Sequence, residues 1–388
     1  MILDDVLIVG AGPAGAVAAA VLARAGARVR VIDRATFPRD KLCGDTLNAG
    51  TLAILRRLEL AAPIEPLALR IEGMRVTGDR GAAVEGRYPN GLHGLSISRR
   101  ELDRVLLGEA IRAGAAFEPG IAVREAMVAE DRGRRLVTGV TTGANGSARS
   151  LQARVVIGAD GRHSTLAFGL GLAAHPVRPR RWAIGAYFEQ PPGGSPFGEM
   201  HIRRGRYIGV APLPGAVANV CVVKPSGPGD VQLHDAEGIL RREMEADPLL
   251  RDRFRDSRMV RRPIVLGPVA TDALAGTIDG LILAGDAAGF IDPMTGDGLR
   301  FAVRGGELAA LAAMRALEHG WTGVHARLSA ERRAEFGRKW RFNRVLREST
   351  ALPFAMRIAE QIARVSPGVV RALIEYAGDC RLAQPQSR

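Results

Sequence analysis

The stretch DVLIVGAGPAGAVAAAVLARAGARVRVID, residues 5–33, leaves its surroundings little freedom. Val6-Leu7-Ile8-Val9 is a short apolar run of the kind that lies in a parallel sheet covered on both faces. Gly10-x-Gly12-x-x-Gly15 follows, enclosing Pro13 and Ala14, and an alanine-rich helix then runs to about Ala25 and closes on Gly26. A second strand, Arg28 to Ile32, ends in Asp33. Gly10 permits the tight turn, Gly12 lets a pyrophosphate approach the backbone, and Gly15 lets helix pack on strand. The helix start offers free N–H groups and a positive dipole end to phosphates. Asp33, placed 18 residues after Gly15, can accept hydrogen bonds from a ribose diol. These residues spell a dinucleotide site in an α/β fold.

The fingerprint alone does not choose between FAD and NAD. A second stretch, LILAGDAAGFIDPMTGDGLRFAVRGG at residues 281–306, repeats the strand-then-glycine pattern. Gly285-Asp286 delivers an acid to a loop, where it can hold a chain of sugar-like hydroxyls. Pro293, Gly296, Asp297 and Gly298 then lead into a helix from about Leu299 to Leu317. Glycines at a helix start let a flat ring lie against bare backbone, and the N–H groups there stabilise negative charge on it. One long cofactor held at both ends accounts for both loops: the ADP half at the first, the ribityl chain and isoalloxazine at the second.

With 388 residues, the chain has room for two domains or for one with an inserted lobe. Its only lysines are Lys41, Lys224 and Lys339, so the net charge of +13 is almost all arginine. The arginines are scattered and aromatics make up only 5%, which argues against nucleic-acid binding. The excess still favours anionic ligands or an acidic membrane surface. Cys43, Cys221 and Cys380 are far apart, without CxxC or His/Cys clusters, so neither a disulfide framework nor a metal site is expected. Glycines and Pro13 break the longest apolar run, and no signal peptide is read. The expected location is the cytoplasm, with peripheral contact at the inner face of the membrane as a variant.

Four motifs in order carry a family resemblance: the GxGxxG with Asp33; FPRDKLCGD at residues 37–45; Gly158-Ala159-Asp160-Gly161; and GDAAGFIDPMTGDG. The chain resembles the FAD-dependent family of geranylgeranyl reductases, flavin-dependent halogenases and aromatic-ring monooxygenases, and its CGD segment is most similar to the geranylgeranyl and menaquinone reductase branch. The resemblance implies a Rossmann-type FAD domain with non-covalent FAD, and an inserted antiparallel sheet that meets an apolar small-molecule substrate. It also implies that Arg99, Asp160, Gly161, Cys43 and Gly44 lie at the cofactor. Arg34, Val123 and Leu299 complete the expected cofactor set, and Cys43, Tyr207 and Pro293 are the expected catalytic positions.

The FAD domain is expected over residues 1–75 with 95–175 and 265–320. The substrate sheet is expected over 76–94 with 176–264, and a helical cap over 321–388. In the reductase branch this sheet shows a Y-x-W-x-F-P pattern. Here Tyr207-Ile208-Gly209-Val210-Ala211-Pro212 keeps the tyrosine and proline but replaces two large aromatics, which implies a roomier pocket. The tryptophan-rich motif and catalytic lysine of halogenases are not found. The chain therefore reads as an FAD-dependent C=C reductase of a large isoprenoid-like or polycyclic molecule. The alternative is a monooxygenase hydroxylating an aromatic or polyketide-like substrate through a flavin C4a-hydroperoxide. No second dinucleotide fingerprint is present, so NAD(P)H would bind transiently or a separate reductase would supply electrons. Oligomeric state cannot be read from the sequence.

Overall fold

The computed structural model describes residues 3–42, 44–79, 81–131, 133–143, 148–176, 181–190, 195–225, 235–290, 293–349, 361–362 and 364–384. Cys43 lies outside the described residues.

The first apolar run forms β1 (Asp4–Val9), the glycine turn feeds α1 (Pro13–Arg24), and the chain returns as β2 (Val29–Asp33). The helix α2 (Arg99–Arg112) starts on Ser98, whose hydroxyl accepts from the Glu101 amide. The long strand β3 (Arg149–Gly158) then runs parallel to β1, with Val6 beside Val155 and Ile8 beside Ile157. β2 flanks β1 on the other side, Ala116–Pro119 pairs with β2, and Leu281–Leu283 pairs with β3, all in parallel. Because these five strands point the same way, Val9, Asp33, Gly158 and Leu283 all end at one edge of the sheet. Four loops far apart in sequence are thereby delivered to one crevice. Val6, Leu7 and Ile8 are fully buried, as a strand covered on both faces requires.

A second sheet has β4 (Arg181–Glu189), β5 (Arg206–Leu213) and β6 (Val217–Pro225) at its centre. These three are antiparallel to their neighbours, whereas Phe197–Arg203 pairs in parallel with Gly73–Thr77, a departure from a wholly antiparallel lobe. Side chains alternate between faces. Ile184, Phe188, Ile208, Val210, Val220 and Val222 bury one face under α3 (Ala236–Glu245) and α4 (Pro248–Phe254). Ala183, Tyr207 and Val223 occupy the opposite face and pack with Val269.

The chain ends in helices: α5 (Gly298–His319), α6 (Val324–Ser349) and α7 (Pro367–Ala377). α5 lies tight against α1, since a Cβ at Gly306 would meet the Ala14 carbonyl oxygen at 2.3 Å. No helix among the described residues is long and apolar enough to cross a membrane.

Candidate functional site

The strand edge opens on a cleft of about 790 Å³, its mouth included. Gly12, Pro13 and Ala14 form one wall at the start of α1. The loop 37–45 contributes Lys41, Leu42 and Gly44, and α2 contributes Arg99. Gly161, Gly285, Asp286, Gly298 and Leu299 come from the other three loops. Ala183, Leu266 and Val269 close the cleft from the second sheet. Residues expected at the cofactor from six separate segments thus meet at one place.

The glycines of the first loop show why no other residue serves. A Cβ on Gly10, whose φ is +104°, would stand 2.3 Å from the Ala159 oxygen, and one on Gly15 would stand 1.9 Å from the Gly10 oxygen. Both are packing positions inside the fold. Gly12 differs: a Cβ there meets nothing nearer than the Arg39 guanidinium at 3.6 Å, so its bare side faces the cleft. α1 has no side-chain cap and no acid in its first turn, so its first N–H groups remain available to an anion. The Asp33 carboxylate is held by the Ala11 and Ala35 amides, both at 2.8 Å. Asp160 accepts from the Thr165 amide at 2.7 Å through Oδ2, while its buried Oδ1 has no partner among the described residues; burial raises its pKa above the ordinary carboxylate value. A bare backbone at Gly12 and an open helix start fit FAD.

The opposite wall is built on buried charge. Asp103, fully buried, takes Arg99 through both oxygens at 2.8 and 2.9 Å and Arg39 at 3.1 Å. Gly44 has φ +81°, and a Cβ there would sit 3.3 Å from the Arg99 guanidinium. Asp45 accepts from the Arg99 amide at 2.8 Å, from Asn219 at 2.5 Å and from the Tyr187 hydroxyl at 3.4 Å. The cofactor-side loop is thereby tied to the second sheet. Burial pushes the Asp45 carboxyl up to about 6, and burial followed by the adjacent Asp45 charge raises the Tyr187 hydroxyl well above its ordinary value.

Several expected residues stand apart from the lining. Arg34 is exposed beside Asp33, and Val123 is half-buried at the start of a strand opposite Thr142. Gly296 is an exposed turn residue with φ +69°, and Pro293 opens the short 3₁₀ turn Pro293–Thr295 before it. Asp297 is fully buried and committed elsewhere: Lys339 donates at 3.1 Å and Asn343 at 3.3 Å, so its side chain braces the loop from behind. Tyr207 is buried on the sheet face shared with Ala183 and Val269, both of which line the cleft, and Arg181 lies 5.9 Å from its ring centre. Its neighbour on that face, Gly209, is open: a Cβ there would meet only Met200 and two carbonyl oxygens, at 3.9–4.0 Å. Space stands open beside Gly209, although Tyr207, Gly209 and Ala211 are not themselves among the residues lining the cleft.

Lys41 and Lys339 were not singled out for the site from the sequence. The available signal was their rarity, since the chain has only three lysines among its many arginines.

The family model described as FAD binding domain matches residues 4–336. The menaquinone reductase of Mycolicibacterium smegmatis is 32% identical over 321 residues, covering 79% of this chain and 75% of its own. The geranylgeranyl diphosphate reductase of Rhodobacter capsulatus is 30% identical over 327 residues, covering 81% and 76%. Among solved structures, the myxobacterial chondrochloren halogenase superposes with a TM-score of 0.82 at 20% identity, covering 100% of this chain and 93% of its own. That last likeness is one of fold.

Proposed function

We propose that this chain, which belongs to the FAD binding domain family and is an FAD-dependent oxidoreductase, reduces a C=C bond in a large apolar, isoprenoid-like molecule. The observation that carries the reading is the open apolar face of the second sheet. Tyr207, Gly209 and Ala211 alternate along β5 on the face that looks toward Ala183, Leu266 and Val269 at the cleft. Substrate pockets are mostly apolar with few polar groups, and this face supplies such a floor. The names of the reductase relatives point the same way.

When bound, FAD supplies the hydride, and NAD(P)H or a separate reductase renews it. The chain's own contribution is to bind and orient. The α1 start and Gly12 take the diphosphate, Asp33 the ribose, Asp286 the ribityl hydroxyls, and the backbone around Gly298 the ring. Tyr207 serves as a wall of the substrate pocket in the sheet lobe.

The test uses the reduced holoenzyme and a geranylgeranyl compound that has no other reducible group, without oxygen. The expected outcome is flavin reoxidation with a product two hydrogens heavier. A product one oxygen heavier, formed only in air, would replace this reading with monooxygenation. In the same assay, Gly209→Trp should keep its flavin and melting temperature while turnover of the bulky substrate falls by at least about 10-fold. If the face were instead packed core, the extra ring would cost about 1–3 kcal/mol of stability. A stable, flavin-loaded variant with unchanged turnover would sink the pocket assignment.

We further propose that the C-terminal helices rest on an anionic bilayer, the source of such a substrate. Val365, Val369 and Leu373, four residues apart, are 74%, 48% and 42% exposed. Arg364, Arg371 and Arg381 of the same segment are exposed. Apolar contact combined with basic charge is the signature of interfacial binding. Sedimentation with phosphatidylglycerol vesicles, but not phosphatidylcholine ones, is expected, and Val369→Asp with Leu373→Asp should abolish it. Dimerisation through this face without vesicle binding would overturn the proposal.

A further inference from the structure

Lys41, Arg99 and Arg162 line the cleft, with Arg39 beside Arg99 on Asp103, and they are not equivalent. Arg39 and Arg99 both spend their charge on Asp103. Lys41 lines the cleft, is half-buried, and makes no hydrogen bond or ion pair with any described residue. The charged groups that act on it are Arg99 and Arg39, which repel it, and Asp286 and Asp103, which attract it. Burial first, then Arg99, pushes its ammonium down to about 8. A half-buried ammonium without a partner is unfavourable unless something that binds there completes it. Across the cleft, the uncapped start of α1 also presents unspent positive character at Gly12, Pro13 and Ala14. Among the described residues the one acid lining the cleft is Asp286; its charge attracts Lys41, but the two form no ion pair.

We propose that Lys41 is the counter-ion of the FAD diphosphate, closing from the side opposite α1 a site whose anion the ligand must bring. The inference rests on FAD occupying this cleft and is independent of which substrate is reduced.

Such a role couples cofactor affinity to pH, with a definite sign. In the empty cleft Lys41 titrates near 8, and a bound diphosphate raises that value, so binding takes up a proton above it. Affinity is therefore full below pH 8 and falls as pH rises toward the bound-state value. Between about pH 6.5 and about pH 9.5 the loss reaches roughly 30-fold if the bound lysine stays charged throughout.

The experiment measures free flavin by ultrafiltration of diluted holoenzyme at both pH values, for the wild type, Lys41→Gln and Lys41→Arg. The wild type should bind FAD at least about 10-fold more tightly at the lower pH. Lys41→Gln should bind roughly 10- to 100-fold more weakly there and show no pH dependence. Lys41→Arg should match the wild type at the lower pH and hold that affinity at the higher one. Should the Gln variant fail to fold, the contrast between the falling wild-type profile and the flat Arg profile decides alone. A flat wild-type profile, or a folded Gln variant within about two-fold of wild type, overturns the assignment. A wild type that carries no flavin would instead remove the premise.

Discussion

Gly15→Val is expected to yield protein that retains no FAD and has lost much of its stability. The added Cβ would stand 1.9 Å from the Gly10 carbonyl oxygen and 3.2 Å from the Ile8 side chain. The first contact is with backbone, so no rotamer change relieves it, and α1 must move off β1. Overpacking commonly costs about 1–3 kcal/mol, and a clash against main chain belongs at or beyond the upper end. The same movement withdraws the α1 N–H groups from the cleft. Gly12→Ala is the matched control. Its Cβ meets only the Arg39 guanidinium at 3.6 Å, so the fold should be untouched when no cofactor is present. Its FAD affinity should nonetheless drop by at least about 10-fold, because the methyl group occupies the side that the diphosphate approaches. Melting temperature and bound flavin, read on both variants, separate the two glycines. A Gly15→Val protein with normal flavin content would mean that α1 and β1 are not packed as described.

The difference between those glycines also marks what could be read from residues alone. The roles of Gly10, Gly12 and Gly15 follow from spacing, because a strand, a turn and a helix of fixed geometry leave each a single task. The meeting of Asp33, Asp160 and Asp286 at one edge was legible as well, since each follows a short apolar strand and parallel strands end together. Strand periodicity assigned Tyr207, Gly209 and Ala211 to one face without any tertiary knowledge, and the space at Gly209 followed from the resemblance, whose pattern has an aromatic there. Asp297 was read as part of the cofactor surface, and there the reasoning stopped short. Its sequence neighbours are loop glycines that face the cofactor region, but its side chain answers to Lys339 and Asn343, 42 and 46 residues away on α6. α6 is charged around most of its circumference, so nothing in its periodicity marks Lys339 as buried. Asp45 escaped for the same reason: its partners Tyr187 and Asn219 lie more than a hundred residues on, in the other sheet. Buried polar networks are specified by tertiary partners, and short-range pattern does not reveal them.

The Lys339 network sets the second large expectation. Lys339 is 3% exposed and donates to Asp297 at 3.1 Å and to the Ala377 carbonyl at 3.0 Å, while pairing with Asp379 at 3.2 Å. Arg300 approaches Asp379 at 2.8 Å from α5. One ammonium therefore joins the loop before α5 to the end of α7 through α6. Lys339→Met keeps most of the side-chain volume and removes the charge. Asp297 would then be left fully buried with only the Asn48 and Asn343 amides, the first at 3.5 Å. Removing one partner from a buried ionic group costs about 3–5 kcal/mol, because the remaining charge stays desolvated. Asp379 would suffer less, since Arg300 stays beside it. The loss should therefore be felt first at Asp297, which stands at the start of α5 and directly precedes Gly298 and Leu299 of the cleft wall. Two readouts are expected to move together: the melting temperature falls by several degrees, and the variant sheds flavin on dilution more readily than the wild type. Excess FAD should recover part of the lost stability, because a ligand that binds only the folded state draws the equilibrium toward it. A variant that melts lower but holds flavin as tightly as the wild type would show that Lys339 only fastens the C-terminal helices, with the α5 loop keeping its shape unaided.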